Sequence, residues 1–238
     1  MKLDILAFAA HPDDVEMTCS GTIMKHIAGG KKAGVVDLTR GELGTRGSAE
    51  LRDKEAAAAS ELMKLSVREN LKMPDGFFEA TEANKLSIVK MIRKYQPEIV
   101  LANAIHDRHP DHGRASKLVS DCCFLSGLAK LQTEEDGKPQ PTWRPSSVYH
   151  YIQDRYIKPD FIVDISDYME KRMEVIRCYK SQFYDPDSTE PETMISSKLF
   201  FTILENRAAE LGRQIGASYG EGFTVERPPG INDFFCLK

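Results

Sequence analysis

The sequence has a single tryptophan, and its five cysteines (Cys19, Cys122, Cys123, Cys178 and Cys236) form no CxxC pair. An odd number of cysteines without that spacing argues against a disulfide framework and a thiolate zinc site, and suits a reducing cytoplasm. No stretch approaches the ~18 apolar residues of a membrane span. The N-terminal run Leu3-Asp4-Ile5-Leu6-Ala7-Phe8-Ala9-Ala10 is interrupted by Asp4, and its unbroken part falls short of the roughly 7–15 apolar residues of a secretory leader. There is no excess of basic charge either. The 32 Lys and Arg against 36 Asp and Glu leave a net charge of -4, and the basic residues are dispersed, so neither a nucleic-acid nor a membrane surface is indicated. No GxGxxG follows the first apolar run, which leaves nucleotide binding with little support. Internal repeats and low-complexity tracts are missing too.

What remains is a chain of 238 residues, 41% hydrophobic, enough for one sizeable core and read as a single domain over residues 1–238. Strand-like and helix-like patterns alternate through its first half. Strands are expected at Leu3–Ala9, Ala33–Leu38, Arg68–Met73 and Ile99–Asn103, and helices at Val15–Ile27, Ser48–Leu65, Thr81–Tyr95 and Pro110–Phe124. That alternation implies an α/β fold, Rossmann-like and doubly wound, with a mainly parallel sheet flanked by helices. Polar, proline-bearing Gln132–Pro141 reads as a surface loop. Further strands are expected at Ser147–Ile152, Phe161–Ile165 and Phe223–Val225, with helices from Asp167 to about Phe183 and from about Met194 to Gln214.

Two clusters carry chemistry. His11-Pro12-Asp13-Asp14 directly follows the first strand, and His106-Asp107-Arg108-His109-Pro110-Asp111-His112 follows the fourth. In a doubly wound sheet those two strands become neighbours where strand order reverses, and ligands bind in the crevice at that carboxyl edge. Both clusters should therefore face one crevice. The loop Thr39–Gly47, with Glu42 and Arg46, should border it. Pro110 at a first helical position pre-sets the helix and leaves His109 extended, so His109 and His112 are expected to point differently. Asp13 and Asp14, being adjacent, cannot easily present both carboxylates in one direction, so one is available to ligate a metal while the other stays free. Two imidazoles and a carboxylate suit Zn²⁺, with another divalent ion such as Fe²⁺ as an alternative. A divalent ion there acidifies a water and polarises a carbonyl, a free carboxylate moves the proton, and a further imidazole stabilises an oxyanion.

The pairing of His11-Pro12-Asp13-Asp14 with His109-Pro110-Asp111-His112 resembles the zinc-dependent N-deacetylases of N-acetylglucosamine conjugates, the LmbE-like or PIG-L-type family. Within it, the likeness is to the subgroup acting in bacillithiol biosynthesis, which removes acetate from N-acetylglucosaminyl malate. The resemblance covers the α/β body, the Gly41–Gly47 loop and Tyr219-Gly220-Glu221-Gly222-Phe223. It implies His11, Asp14 and His112 as metal ligands, Asp13 as general base, and His109 as oxyanion stabiliser or acid, held by Asp111. It also implies a substrate-facing role for Glu42, Arg46, Arg52, Arg108, Tyr219 and Glu221, the arginines reading an anionic substituent. The expected partner is a small sugar conjugate, bound by a cytoplasmic homo-oligomer.

Each residue also has a plainer reading. Asp13, Asp14 and His109 sit where helix caps sit, Arg52 suits a solvated helix face, and Tyr219–Phe223 suits a turn entering a strand. His26, His106 and His150 are read as structural, and Cys122-Cys123 as packed core. Three other readings stay open: a general N-acetylglucosamine or chitooligosaccharide deacetylase, a non-haem Fe(II) oxygenase, and a non-catalytic metal or sugar-binding module.

Overall fold

The computed structural model describes residues 1–236, at Cys236 the backbone alone. Its strands are β1 (Ile5–Ala9), β2 (Ala33–Asp37), β3 (Val67–Asn70), β4 (Ile99–Ala102), β5 (Glu134–Glu135), β6 (Lys138–Pro139), β7 (Ser147–Tyr151), β8 (Phe161–Asp164) and β9 (Gly220–Val225). Its helices are α1 (Asp14–Thr18), α2 (Ser20–Ala28), α3 (Ala49–Met63), α4 (Glu82–Tyr95), α5 (Pro110–Leu125), α6 (Met169–Ile176) and α7 (Lys198–Gln214). Seven strands form one sheet in the order β3-β2-β1-β4-β7-β9-β8. The first and fourth strands are parallel neighbours, Ile5 opposite Ile99 and Ala7 opposite Leu101. The doubly wound α/β fold and its switch point are as the alternation of elements implies.

β1 is buried along its whole length, and its two faces separate by the period of a strand. Ile5, Ala7 and Ala9 join one core with residues of α2, α3, α6 and α7. Leu6, Phe8 and Ala10 join a second core with residues of α4 and α5. Pro110 opens α5 as expected, and at the start of α3 the Ser48 side chain accepts from Leu51 N.

Three local expectations change, and one strand runs against its neighbours. The first helix breaks at Cys19 (φ -142°), because the freed amides of Gly21 and Thr22 donate to the buried Glu221 carboxylate at 3.0 and 2.7 Å. Gly21 suits that close approach, since a Cβ would meet Glu221 Oε1 and Ile165 Cδ1 at 3.0 Å. The helix expected from Asp167 begins as a 3-10 turn and ends at Ile176, and α7 begins at Lys198. Gln132–Pro141 contains the small hairpin of β5 and β6, turned by Asp136 (φ 50°) and Gly137 (φ 73°), the Asp-Gly pair that a type I′ turn favours. Finally, β9 runs antiparallel to both β7 and β8. Among the described residues no helix is long and apolar enough to cross a membrane.

Candidate metal and catalytic site

The imidazoles and carboxylates of the candidate site follow the carboxyl ends of parallel strands. His11, Asp13 and Asp14 follow β1, Asp75 follows β3, Asn103 to His112 follow β4, and Gln153 follows β7. They line or underlie an open hollow of about 470 Å³ whose walls include His11, Asp13, Asp14, Asp75, His109 and His112.

Asp14 is the hub, buried with 1% of its surface exposed. Its Oδ1 lies 3.1 Å from His112 Nε2 and accepts from Gln153 Nε2 at 3.0 Å. Its Oδ2 accepts from His11 N at 3.0 Å and Asn103 Nδ2 at 2.9 Å, and lies 3.7 Å from His11 Nδ1. Burial alone would raise the Asp14 pKa, but the charge and hydrogen bond of His112, then His11, pull it far below the usual carboxylate range.

Each flanking imidazole is oriented from behind. His112 Nδ1 is 2.5 Å from Asp107 Oδ2. His11 Nε2 lies 3.0 Å from Asp75 Oδ1 and 3.3 Å from Asp111 Oδ2. Burial opposes protonation of both rings, yet Asp111, Asp75 and Asp14 push His11 up to about 10, and Asp14 with Asp107 pushes His112 up to about 9. A buried nest of carboxylates that draws protons onto two imidazoles is one that stabilises positive charge. A divalent cation supplies that charge in place of the protons, so the donor set fits a metal ion. Among the described residues, ligand atoms lie within 4.8 Å of one another in two sets, His11/His109/His112 and His11/Asp75/Asp111. Asp14 enters neither set, touching His112 with one oxygen and facing His11 with the other.

Asp13 precedes α1 in a left-handed conformation (φ 118°), and its side chain makes no cap hydrogen bond. Its Oδ2 instead accepts from Arg52 Nη1 at 3.3 Å. Burial raises its pKa to about 7, against the pull of Arg52 and with the help of Asp14. His109 is extended (φ -79°, ψ 126°) ahead of Pro110, as expected. It does not, however, point away from His112: the two rings stack at 5.1 Å, and His11 packs edge-on to His109 at 4.7 Å. Its Nδ1 accepts from Asp111 N at 3.2 Å, which assigns the proton of a neutral ring to Nε2. Burial, then the charges of His11 and His112, hold its pKa below the ordinary histidine value.

Several expected contacts are corrected. Asp111 holds His109 through its amide, while its carboxylate serves His11, Gly76 N (2.9 Å) and Arg114 Nη1 (2.6 Å). Arg46 is buried away from the hollow, with Nε on Ser181 O at 2.9 Å and Nη2 on Ser188 Oγ at 2.7 Å. Its guanidinium is consumed in fastening the loop. Glu221 is likewise buried, between the α2 amides and Arg172 Nε at 3.1 Å, and Tyr219 packs against the core. Arg52 lines the hollow but is buried, donating to Pro12 O at 2.9 Å as well as to Asp13. Glu42 accepts from Asp75 N at 2.8 Å, shaping the rim from outside. Arg108 stays on the rim, half-exposed, 3.3 Å from Asp154. His150 bonds Ser116 Oγ at 2.8 Å, His26 its own helix and His106 Arg155, as structural histidines do.

Asp75, Asn103, Asp107 and Gln153 were not anticipated as site residues. A signal for them existed: each stands just past the carboxyl end of a parallel strand, where the crevice of a doubly wound sheet collects its ligands.

Comparison with known proteins places relatives beside this chain. Residues 6–123 match the PIG-L family model, GlcNAc-PI de-N-acetylase. Diacetylchitobiose deacetylase of Thermococcus kodakarensis is 28% identical over 243 residues, covering 98% of this chain and 85% of that protein. The conserved protein TT1542 from Thermus thermophilus superposes with a TM-score of 0.86 at 31% identity, with 98% of each chain covered. N,N'-diacetylchitobiose deacetylase from Pyrococcus horikoshii gives a TM-score of 0.80 at 28% identity, covering 93% of this chain and 82% of that one. The sequence match runs from β1 into α5 and takes in both histidine clusters, and the backbone match extends over nearly all the rest; the chain belongs to the GlcNAc-PI de-N-acetylase (PIG-L) family of deacetylases.

Proposed function

We propose that this protein is a metal-dependent hydrolase that removes acetate from a small N-acetylglucosaminide. The observation that carries the reading is the position of the Asp14 carboxylate between two imidazoles, 3.1 Å from His112 and 3.7 Å from His11, beside an Asp13 carboxylate that caps nothing. His11, Asp14 and His112 would hold the cation, which supplies Lewis acidity toward a water and the amide carbonyl. Asp107 fixes His112, and Asp75 with Asp111 fixes His11, each from the ring nitrogen turned away from Asp14. Asp13 takes the proton of the attacking water and returns it to the departing amine. His109 donates from Nε2 toward the oxyanion that develops on the carbonyl.

For the sugar's substituent, N-acetylglucosaminyl malate is one candidate and a neutral chitooligosaccharide the other. Arg46 is spent inside the protein, so recognition of an anionic substituent falls to Arg108. That weakens the malate reading relative to the sequence-based expectation, and the two diacetylchitobiose deacetylases at 28% identity support the neutral one. The test is acetate release by the metal-loaded protein from N-acetylglucosaminyl malate, diacetylchitobiose and the methyl glycoside of N-acetylglucosamine. Turnover of any of them supports the reaction, and their ranking names the substituent. No acetate from any, with metal bound, refutes the proposal.

A further inference from the structure

Behind His112 lies a second, smaller cavity of about 70 Å³. It shares Met17, Arg108, His112 and Ile195 with the open hollow, so the two adjoin at the candidate metal site. Its inner wall is apolar, built by Ile152 and by Phe200, Leu204, Ala208 and Leu211 of α7. Arg108 stands at the mouth shared with the open hollow, and the charged groups deeper along the cavity are already committed. Arg172 pairs with Glu221 at 3.1 Å and donates to Met17 O, Glu221 accepts from the α2 amides, and Arg207 donates to Asp154 O.

We propose that this cavity is the seat of the acyl group, and that the protein hydrolyses N-propionyl and N-butyryl sugars as well as N-acetyl ones. The inference rests on the amide-hydrolase reading above. An amide held at His112 has two sides to place. Its nitrogen carries the sugar, whose hydroxyls suit the larger hollow with Asp75, Arg52, Thr45 and Gln182 on its walls. Its carbonyl carbon carries only the acyl chain, which suits the apolar cavity on the other side of the imidazole. Space agrees with this: about 70 Å³ is several times the ~10–15 Å³ of such volume that one water needs, so an acetyl methyl leaves much of it unfilled. In the reaction, water oxygen bonds to the acyl carbon and the C–N bond breaks with its electron pair going to nitrogen. Both water protons end on the departing nitrogen, giving R-COO⁻ and the sugar ammonium; nothing is oxidised or reduced.

The experiment compares kcat/KM for methyl glucosaminides bearing N-acetyl, N-propionyl and N-butyryl groups, in the wild type and in Ala208→Phe and Leu204→Ala. Burial of each added methylene predicts a gain of roughly fourfold until the cavity is filled. Ala208→Phe should lower the butyryl-to-acetyl ratio at least tenfold, and Leu204→Ala should raise it. Inhibition by free propionate and butyrate in the wild type supplies the same ranking without relying on variants that fold. A fall of more than tenfold from acetyl to propionyl, with acetyl turned over, overturns the proposal. So does a gain seen with a hexyl aglycone and lost in Ala208→Phe, since that puts the aglycone in the cavity. If acetyl itself is not hydrolysed, the reading of the reaction fails, and calorimetry still decides for the cavity. Tighter binding of the N-butyryl than the N-acetyl glycoside, lost in Ala208→Phe, supports it, and equal binding refutes it.

Discussion

In the half of the sheet built by β1 to β4 every strand runs parallel and ends at the same edge in polar residues, whereas in the half built by β7, β9 and β8 the central strand runs against its neighbours. The parallel half delivers His11, Asp13, Asp14, Asp75, Asp107, His109 and His112 to one crevice. The other half delivers Gln153 to that crevice, but its most conspicuous carboxylate, Glu221 on β9, is fixed between the α2 amides and Arg172. Both halves bury ionisable groups, with different results. Around His11 and Asp14 the arrangement leaves nitrogen and oxygen atoms converging on a hollow, and around Glu221 it leaves each oxygen satisfied by protein.

The contrast breaks most visibly if the largest effects do not fall in the parallel half. His11→Ala and His112→Ala should each lose the divalent ion and all measurable acetate release, with metal content read by elemental analysis. Full metal occupancy in either variant would remove that residue from the ligand set. Asp13→Asn should keep the ion and lower kcat by roughly 10²–10⁴, the usual scale for a general acid or base. Near-normal turnover would move the proton transfer to another group, with His109 next in line.

The antiparallel half should respond in stability instead. Arg172→Met leaves Glu221 buried in the core with its cation removed, and breaking one side of a buried pair costs on the order of 3–5 kcal/mol. Chemical denaturation should report that loss while the bound metal per folded molecule stays at the wild-type level. Loss of metal in this variant without loss of stability would mean that the two halves are coupled more tightly than their separate hydrogen-bond networks imply.

The same contrast explains what was legible in the sequence. Parallel βα units repeat a regular alternation, and the position of a residue past a strand end predicts its place in space, so His11 and His112 are assigned to one crevice across about a hundred residues of sequence. Asp75 and Asp107 also follow strand ends, but Asp75 has no histidine beside it in the sequence to mark it, and Asp107 is overshadowed by the histidines of its own cluster. The two binding candidates whose side chains turn inward do so for one physical reason. Arg46 and Glu221 are charged residues that sequence alone assigns to solvent or substrate, while the fold gives each a buried internal partner. Nothing in local spacing reveals a partner such as Ser181 or Arg172, because those contacts depend on how α6 and the segment after it pack back on the parallel half. The antiparallel insertion of β9 is equally non-local, set by which edge the chain returns to after α7.

The smallest expected effect sharpens the comparison at its boundary, where Arg46 and Arg108 were assigned the same task by sequence. Arg108 stands half-exposed where the two hollows meet, 3.3 Å from Asp154, whereas Arg46 is 6% exposed and bound to Ser181 and Ser188. A guanidinium that reads a carboxylate contributes a charge-assisted bond of roughly 1.5–3 kcal/mol, about tenfold or more in kcat/KM. Arg108→Ala should therefore cost about that factor on N-acetylglucosaminyl malate and little on diacetylchitobiose or the methyl glycoside. Arg46→Ala should change all three substrates alike, and should loosen the Gly41–Gly47 loop, which limited proteolysis would register. A selective loss in Arg46→Ala would return that residue to the binding site and require the loop to rearrange when substrate enters. Equal losses on charged and neutral substrates in Arg108→Ala would leave no arginine to read an anion at the rim, and the neutral chitooligosaccharide would stand as the substrate class.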